Sequence, residues 1–175
     1  MKKIFLSLTA LCLMTVVHAQ NGPVEEMFNK YSEKPGFTVV SISSKMLGMF
    51  ANKDNANKDA DDIIGRLKSI KILSVEDSLL NKNINFYTEL SKKLDLSVYE
   101  ELMVVKSGPD MTKFLIRQNG NVISELLVII GGPGGNSLIS IKGDLNLKNI
   151  SELSKSLDMQ ELKSLDKIEK KSPEE

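Results

Sequence analysis

Tryptophan is absent from this sequence of 175 residues, cysteine and histidine occur once each, as Cys12 and His18, and arginine occurs only as Arg66 and Arg117. Each shortage excludes a class of chemistry. Both Cys12 and His18 fall in the first nineteen residues, and those residues read as a leader. Met1-Lys2-Lys3 is a positive start, Ile4 to Val17 is an almost uninterrupted apolar run, and Val17 and Ala19 are side chains that a signal peptidase accepts at its cleavage site. The run is shorter than the roughly 20 apolar residues that a membrane span takes. Cys12 follows Leu11, where lipoprotein processing wants a small residue, so a lipid anchor is not expected. The expected domains are a signal peptide over 1–19 and a single α+β domain over 20–175 with a charged, frayed C-terminal end.

Cleavage after Ala19 leaves 156 residues without Cys, His or Trp, exported to an oxidising compartment with no disulfide to staple them. The fold must then rest on its apolar core, and at this length a single domain buries about 70% of the surface of its unfolded chain. Without His or Cys there is no Ser-His-Asp or Cys-His arrangement, no thiolate, and no zinc, haem or iron-sulfur site by ordinary ligands. Loss of Lys2 and Lys3 leaves 21 basic side chains against 23 acidic, a formal net charge of −2. No nucleic-acid partner is expected from that balance. With two arginines, bidentate phosphate recognition has little to draw on.

What is present is a sheet. From Leu102 to Lys142 short aliphatic and β-branched runs alternate with Gly108-Pro109-Asp110, Asn119-Gly120 and the Gly131 to Asn136 cluster, the pattern of an antiparallel meander. A two-residue Asn119-Gly120 turn predicts Ile116 opposite Ile123 and Arg117 opposite Val122. Leu126 to Ile130 is apolar at every position, as a central strand covered on both sides requires. Tyr99 to Val105 fits a strand, although Ser97-Val98-Tyr99-Glu100 also spells a capping box.

Before the meander, Val24, Met27, Phe28 and Tyr31 lie at helical spacing ahead of Pro35-Gly36, and their aromatic pair is expected in the core. Phe37 to Ser43 reads as a strand, and Ser43 or Ser44 caps a helix carrying Met46, Leu47 and Phe50. Ile63, Ile64 and Leu67 continue as helix and Ile70 to Val75 as a second strand. Strand, helix, strand is the form of a crossover unit, so the first two strands are expected to lie parallel. Ile84, Tyr87, Leu90 and Leu94 predict one longer amphipathic helix. Near the end, Asn149 and Glu152 mark a helix start with Ile150, Leu153 and Leu157 on its buried face, and Leu162, Leu165 and Ile168 continue a weaker stripe toward Lys170 to Glu175.

Four patterns are tested against chemistry. In Asn52 to Asp62, Asn55, Asn57, Asp59 and Asp61 alternate oxygen ligands, but an EF-hand needs Gly and Glu where Ala60 and Arg66 stand, so a solvated loop is expected. The Gly131 to Asn136 loop lacks the Lys-Ser/Thr of a P-loop and leads into a strand, so a flexible hairpin loop is expected. Ser164 and Lys167 have Ser-x-x-Lys spacing in a charged tail with no companion motif. Asp61-Asp62 and Glu100-Glu101 are adjacent pairs that do not aim at one site. No catalytic, cofactor-binding or metal residue is therefore assigned, and no cofactor or enzymatic activity is expected.

The run Phe37 to Leu47, the Tyr99-Glu100-Glu101-Leu102-Met103 stretch and the close Leu138 to Leu145 followed by a helix resemble the DUF4252-like family of secreted bacterial proteins of unknown function. That resemblance implies a periplasmic or secreted envelope protein of a Gram-negative bacterium. It also implies a setting in envelope-stress signalling, because members are often encoded beside extracytoplasmic sigma factors. The fold expected is α+β, a largely antiparallel sheet of about six strands with helices packed mainly on one face. The function expected is a non-catalytic periplasmic binding or interaction module whose partner is another envelope protein, with no transmembrane span after cleavage. The competing expectations are a structural envelope component and a carboxylate- or Ser/Lys-dependent enzyme.

Overall fold

The computed structural model describes residues 22–51, 63–146 and 148. The expected signal peptide, the Asn52 to Asp62 segment, the predicted helix from Asn149, and Ser164 with Lys167 lie outside the described residues, as do the side chains of Phe50 and Ala51. The elements are α1 (Pro23–Tyr31), β1 (Phe37–Ser43), α2 (Ser44–Ala51), β2 (Leu67–Val75), α3 (Ser78–Asn83) and α4 (Phe86–Ser91). A 3-10 turn (Leu96–Val98) follows, then β3 (Glu100–Ser107), β4 (Asp110–Asn119), β5 (Val122–Gly131) and β6 (Ser137–Leu145). The six strands form one sheet in the order β1-β2-β6-β5-β4-β3, antiparallel at every pairing. This is the α+β fold that the meander predicts.

Strict alternation splits the apolar side chains into two core layers. Leu127 and Ile129 of β5 join Leu73, Leu115 and Leu138 under Val24, Met27, Phe28 and Tyr31 of α1 and Phe86 and Leu90 of α4. Leu126 and Val128 join Ile70, Phe114, Ile116, Ile139 and Ile141 on the opposite face, where Leu47 of α2 and Ile63 pack. The all-apolar Leu126 to Ile130 run is thus a central strand with both faces buried, as its composition requires. The α1 aromatics are core, with Tyr31 stacked on Phe37 at 4.5 Å and tilted against Phe86 at 5.4 Å between ring centroids. Pro23 opens α1, Glu25 and Glu26 occupy its first turn and Lys30 its last, the order that suits the helix dipole.

Several expectations need correction. β1 and β2 are antiparallel, with Phe37 opposite Val75 and Ser43 opposite Ser69. The chain leaves β1 straight into α2 and re-enters the sheet at Leu67 beside the end it left, as an antiparallel neighbour requires. The helical stretch ends at Arg66, and β2 starts at Leu67 rather than Ile70. The long helix predicted over Ile84 to Leu94 is shorter, α4 alone, and a separate helix, α3, ends just before it at Asn83. Asp77 caps α3 by accepting from the Leu79 and Leu80 amides, and Asn85 caps α4 by accepting from the Thr88 amide, so the Asn85 cap starts the helix after Ile84, which apolar spacing joins to it. β6 continues through Gly143 and Asp144 to Leu145.

The β4–β5 register also differs. Asn119 pairs with Val122 and Gln118 with Ile123, and a bulge then sets Arg117 opposite Glu125 and Ile116 opposite Leu126. The turn closes on Gly120-Asn121, where Gly120 takes a φ of +60°, one residue later than the Asn119-Gly120 reading. Moving the turn by one residue shifts each partner by two, which keeps the faces, and Ser124, extra in β5 at the bulge, then exchanges them for every later β5 residue, which brings Glu125 to the face of Arg117.

The β5–β6 connection is a hairpin loop, as expected, but an anchored one. Asn136 is buried. Its carbonyl accepts from the Phe86 amide at 2.8 Å, and its Nδ2 lies within bonding distance of the Ile84 and Gly132 carbonyls and Asn81. A Cβ on Gly131 would sit 2.5 Å from Asn85 Oδ1 and 2.6 Å from the Tyr87 amide, so glycine there is what lets α4 start against β5. Asn136→Ala removes both halves of this clamp and is expected to lower unfolding stability by roughly 2–3 kcal/mol in denaturant titration. A loss below about 1 kcal/mol would show that the clamp does not hold α4 to the sheet.

Candidate functional site

One acidic side chain is buried in the described part of the sheet. Glu125, on the central strand β5, is 1% exposed. The β4–β5 bulge puts Arg117 directly across from it, and the irregular β5–β6 register puts Lys142 across on the other side. Ser140 lies two residues before Lys142, on the same face of β6. Tyr99 arrives from the strap that links α4 to β3, where Asp95 caps the 3-10 turn by accepting from the Ser97 amide. Three strands and one strap therefore converge on one carboxylate.

Its oxygens are well supplied with donors. The Tyr99 hydroxyl donates to Oε2 at 2.9 Å and the Arg117 guanidinium donates to the same oxygen. The Ser140 hydroxyl donates to Oε1 at 2.7 Å, and Lys142 Nζ is 4.0 Å from that oxygen. Burial, and after it the charge of Glu125, push the Tyr99 phenol far above its ordinary value, so Tyr99 stays protonated and remains a donor. The Arg117 guanidinium also lies 5.2 Å from the Tyr99 ring centroid, within cation–π range. Charge burial on this scale is tolerated only with such pairing.

Above the cluster is a cavity of about 320 Å³, walled by the first turn of α1, by the Leu94 to Tyr99 strap, and by Arg117, Glu125 and Lys142. Its reachable charges are mixed: the Arg117 and Lys142 side chains are 45% and 42% exposed while that of Glu125 is 2%, and the acids Glu25 and Asp95 share the wall, Asp95 exposed. α1 adds backbone polarity at the same mouth. Its N-cap is Gly22, which makes no side-chain cap bond. A carboxylate so enclosed by donors is poorly placed to take a proton from a bound molecule. What it does is fix a guanidinium and a phenol in one arrangement, with an ammonium 4.0 Å away.

A second groove, about 660 Å³, runs along α1 and α4 beside Lys30, Glu89, Lys92 and Lys93. Glu89 accepts from Lys30 at 2.5 Å and from Tyr31 at 2.7 Å. Desolvation pushes its carboxyl up, but the Lys30 and Tyr31 bonds outweigh this and hold it below its usual range. That pair ties the two helices together. Among the described residues no three His, Cys, Asp or Glu side chains gather as a metal site, and no helix is long and apolar enough to cross a membrane.

Of the residues weighed in the sequence, Glu100 and Glu101 diverge, to Gln118 and Lys113 respectively, so they share no site. Glu125, Ser140 and Lys142 were not singled out. The available signal was a lone acid in the apolar run Ile123 to Ile130, eight residues after one of the two arginines and across a tight turn. Arg117→Ala leaves the carboxylate without its guanidinium and is expected to cost roughly 2–3 kcal/mol, less than the ~3–5 of a fully buried pair because Arg117 is half wet. Tyr99→Phe removes one neutral donor and is expected to cost about 1 kcal/mol in the same denaturant titration. Equal losses for the two variants would contradict this ranking.

A family model described as Domain of unknown function (DUF4252) matches residues 31–153. No curated protein and no solved structure matches the chain. The matched span holds all six strands and the whole Glu125 cluster, while the first turn of α1 precedes it. By this match over more than two thirds of its length, the chain belongs to the DUF4252 family of domains of unknown function.

Proposed function

We propose that this chain is a non-catalytic interaction module of the Gram-negative cell envelope, exported by its leader to the periplasm or beyond. There it engages another envelope protein, in a setting of envelope-stress signalling. The observation that carries the reading is the Glu125 cluster. A buried carboxylate paired with Tyr99, Arg117 and Ser140 holds Arg117, with Lys142 4.0 Å away, at the mouth of a cavity of about 320 Å³. An arrangement of fixed donors with Glu25 and Asp95 beside them recognises a polar group on a partner, and binding is favoured because the donors are already held in place. The exposed Val98 at the rim, 48% accessible, offers apolar contact beside those charges, as an interface core requires.

The reading is tested in living cells with a photo-crosslinking side chain placed at Val98, at the cavity rim, and at the exposed Met49 on α2, on the opposite face. The tagged chain should be recovered from the envelope fraction with an intact mass that begins near Gln20. One envelope protein should be enriched from the Val98 position and not from Met49. Recovery of a chain that retains residues 1–19, or the same captured set from both positions, would overturn the proposal.

A further inference from the structure

The two edges of the sheet are built differently. β3 carries Glu100, Glu101 and Lys106 and a bulge between Glu101 and Met103, and charges and bulges are the devices that keep an open edge from pairing. β1 has neither. Its seven residues, Phe37-Thr38-Val39-Val40-Ser41-Ile42-Ser43, contain no charge and no proline, and its register against β2 is unbroken. Among the described residues the edge is unpaired, with Thr38, Ser41 and Ser43 exposed and Val40 41% accessible.

The direction of the free backbone groups follows from one bond. The Glu76 amide donates to the Gly36 carbonyl, which adds a rung to the β1–β2 ladder in the same register, so Gly36 and Glu76 are a bonded pair. Because bonded and non-bonded pairs alternate in an antiparallel ladder, Thr38, Val40 and Ile42 turn their backbone groups to β2. Phe37, Val39 and Ser41 turn theirs to the open edge.

A second copy of this strand fits that edge. Antiparallel about a two-fold axis at Val40, Val39 meets Ser41 of the other copy and Phe37 meets Ser43, so outward N–H and C=O groups face each other at each of these rungs. Val40 meets Val40 in the non-bonded pair, where side chains are closest, at about 4.5 Å between Cα atoms. A one-residue slip sets outward residues against inward ones. A two-residue slip one way brings Pro35, which has no N–H, opposite Ser43, and the other way brings Lys45 of α2 opposite Phe37. A neutral strand is also what a symmetric pairing needs, since a charge near the axis would confront its own copy.

We propose that β1 is a self-association edge, through which two copies join in antiparallel register about Val40 and continue one sheet into the next. The inference stands apart from the cavity and does not depend on a partner there. The test uses the tagged chain purified as the cell accumulates it. Sedimentation at micromolar concentration should give twice the monomer mass. Val40→Cys should form a disulfide-linked dimer on mild oxidation, whereas Thr38→Cys, opposite Ile42 of the other copy, should not. Ser41→Pro removes an outward N–H that makes no bond to β2 and should give the monomer mass with the circular dichroism of the unaltered chain. Should Ser41→Pro lose its fold, Val40→Lys, on an exposed side chain, repeats the test by like-charge repulsion. A monomer mass for the unaltered chain, a dimer mass for the folded blocking variant, or crosslinking by Thr38→Cys in place of Val40→Cys overturns the proposal.

Discussion

A carboxylate buried in the middle of an antiparallel sheet is the constraint that organises one end of this molecule. Glu125 is stable there only because Arg117, Tyr99, Ser140 and Lys142 reach it from β4, the strap and β6, and an unpaired charge at that depth would cost several kcal/mol. The bulge at Ser124 is the geometric means, since it sets Glu125 opposite Arg117 while Leu126 and Val128 keep their place in the other core layer. The strap must follow, because Tyr99 can donate only if the 3-10 turn capped by Asp95 lies over the sheet. Helix placement, strand register and cavity thus share one electrostatic requirement.

The opposite end of the same sheet is held by a neutral counterpart. Asn136 closes the β5–β6 loop against the start of α4, and Asp110 accepts from the Gly134 amide at 2.8 Å. Between the two polar anchors lies the layer of Tyr31, Phe37, Phe86 and the aliphatic face of β5. Burial of that layer supplies the driving force, and the anchors decide which helix sits where. With charges and a bulge on β3 and neither on β1, the two margins of the sheet are left chemically unequal.

Most of the sheet was legible because its turns carry their own chemistry: Gly108-Pro109-Asp110, Asn119-Gly120 and the Gly131 cluster each separate runs that proved to be strands. The α1 stripe and the doubly buried Leu126 to Ile130 run were legible for the same local reason. What periodicity hides is non-local. Nothing in Phe37 to Val75 says at which end of the sheet the chain returns, so the expected parallel pair came out antiparallel. The turn at Gly120-Asn121 and the bulge beyond it differ from the expected register by small steps that only the pairing of Arg117 with Glu125 makes favourable. Asn85 reads as one more polar residue in an amphipathic pattern until its side chain is seen to cap α4. The site was the least legible part, because five residues scattered from Tyr99 to Lys142 form no motif in line, although a single acid within an apolar strand is a signal that can be read.

The central claim is that the charge of Glu125, and not merely its shape, sets the demand for Arg117. The most direct measurement is the denaturant stability of Arg117→Ala with and without Glu125→Gln in the same chain. Glutamine keeps an acceptor for Tyr99 and removes the charge, so the double variant should recover stability relative to Arg117→Ala alone. A double variant less stable than Arg117→Ala would contradict the claim and return Glu125 to the ordinary hydrogen-bonding of a polar core residue.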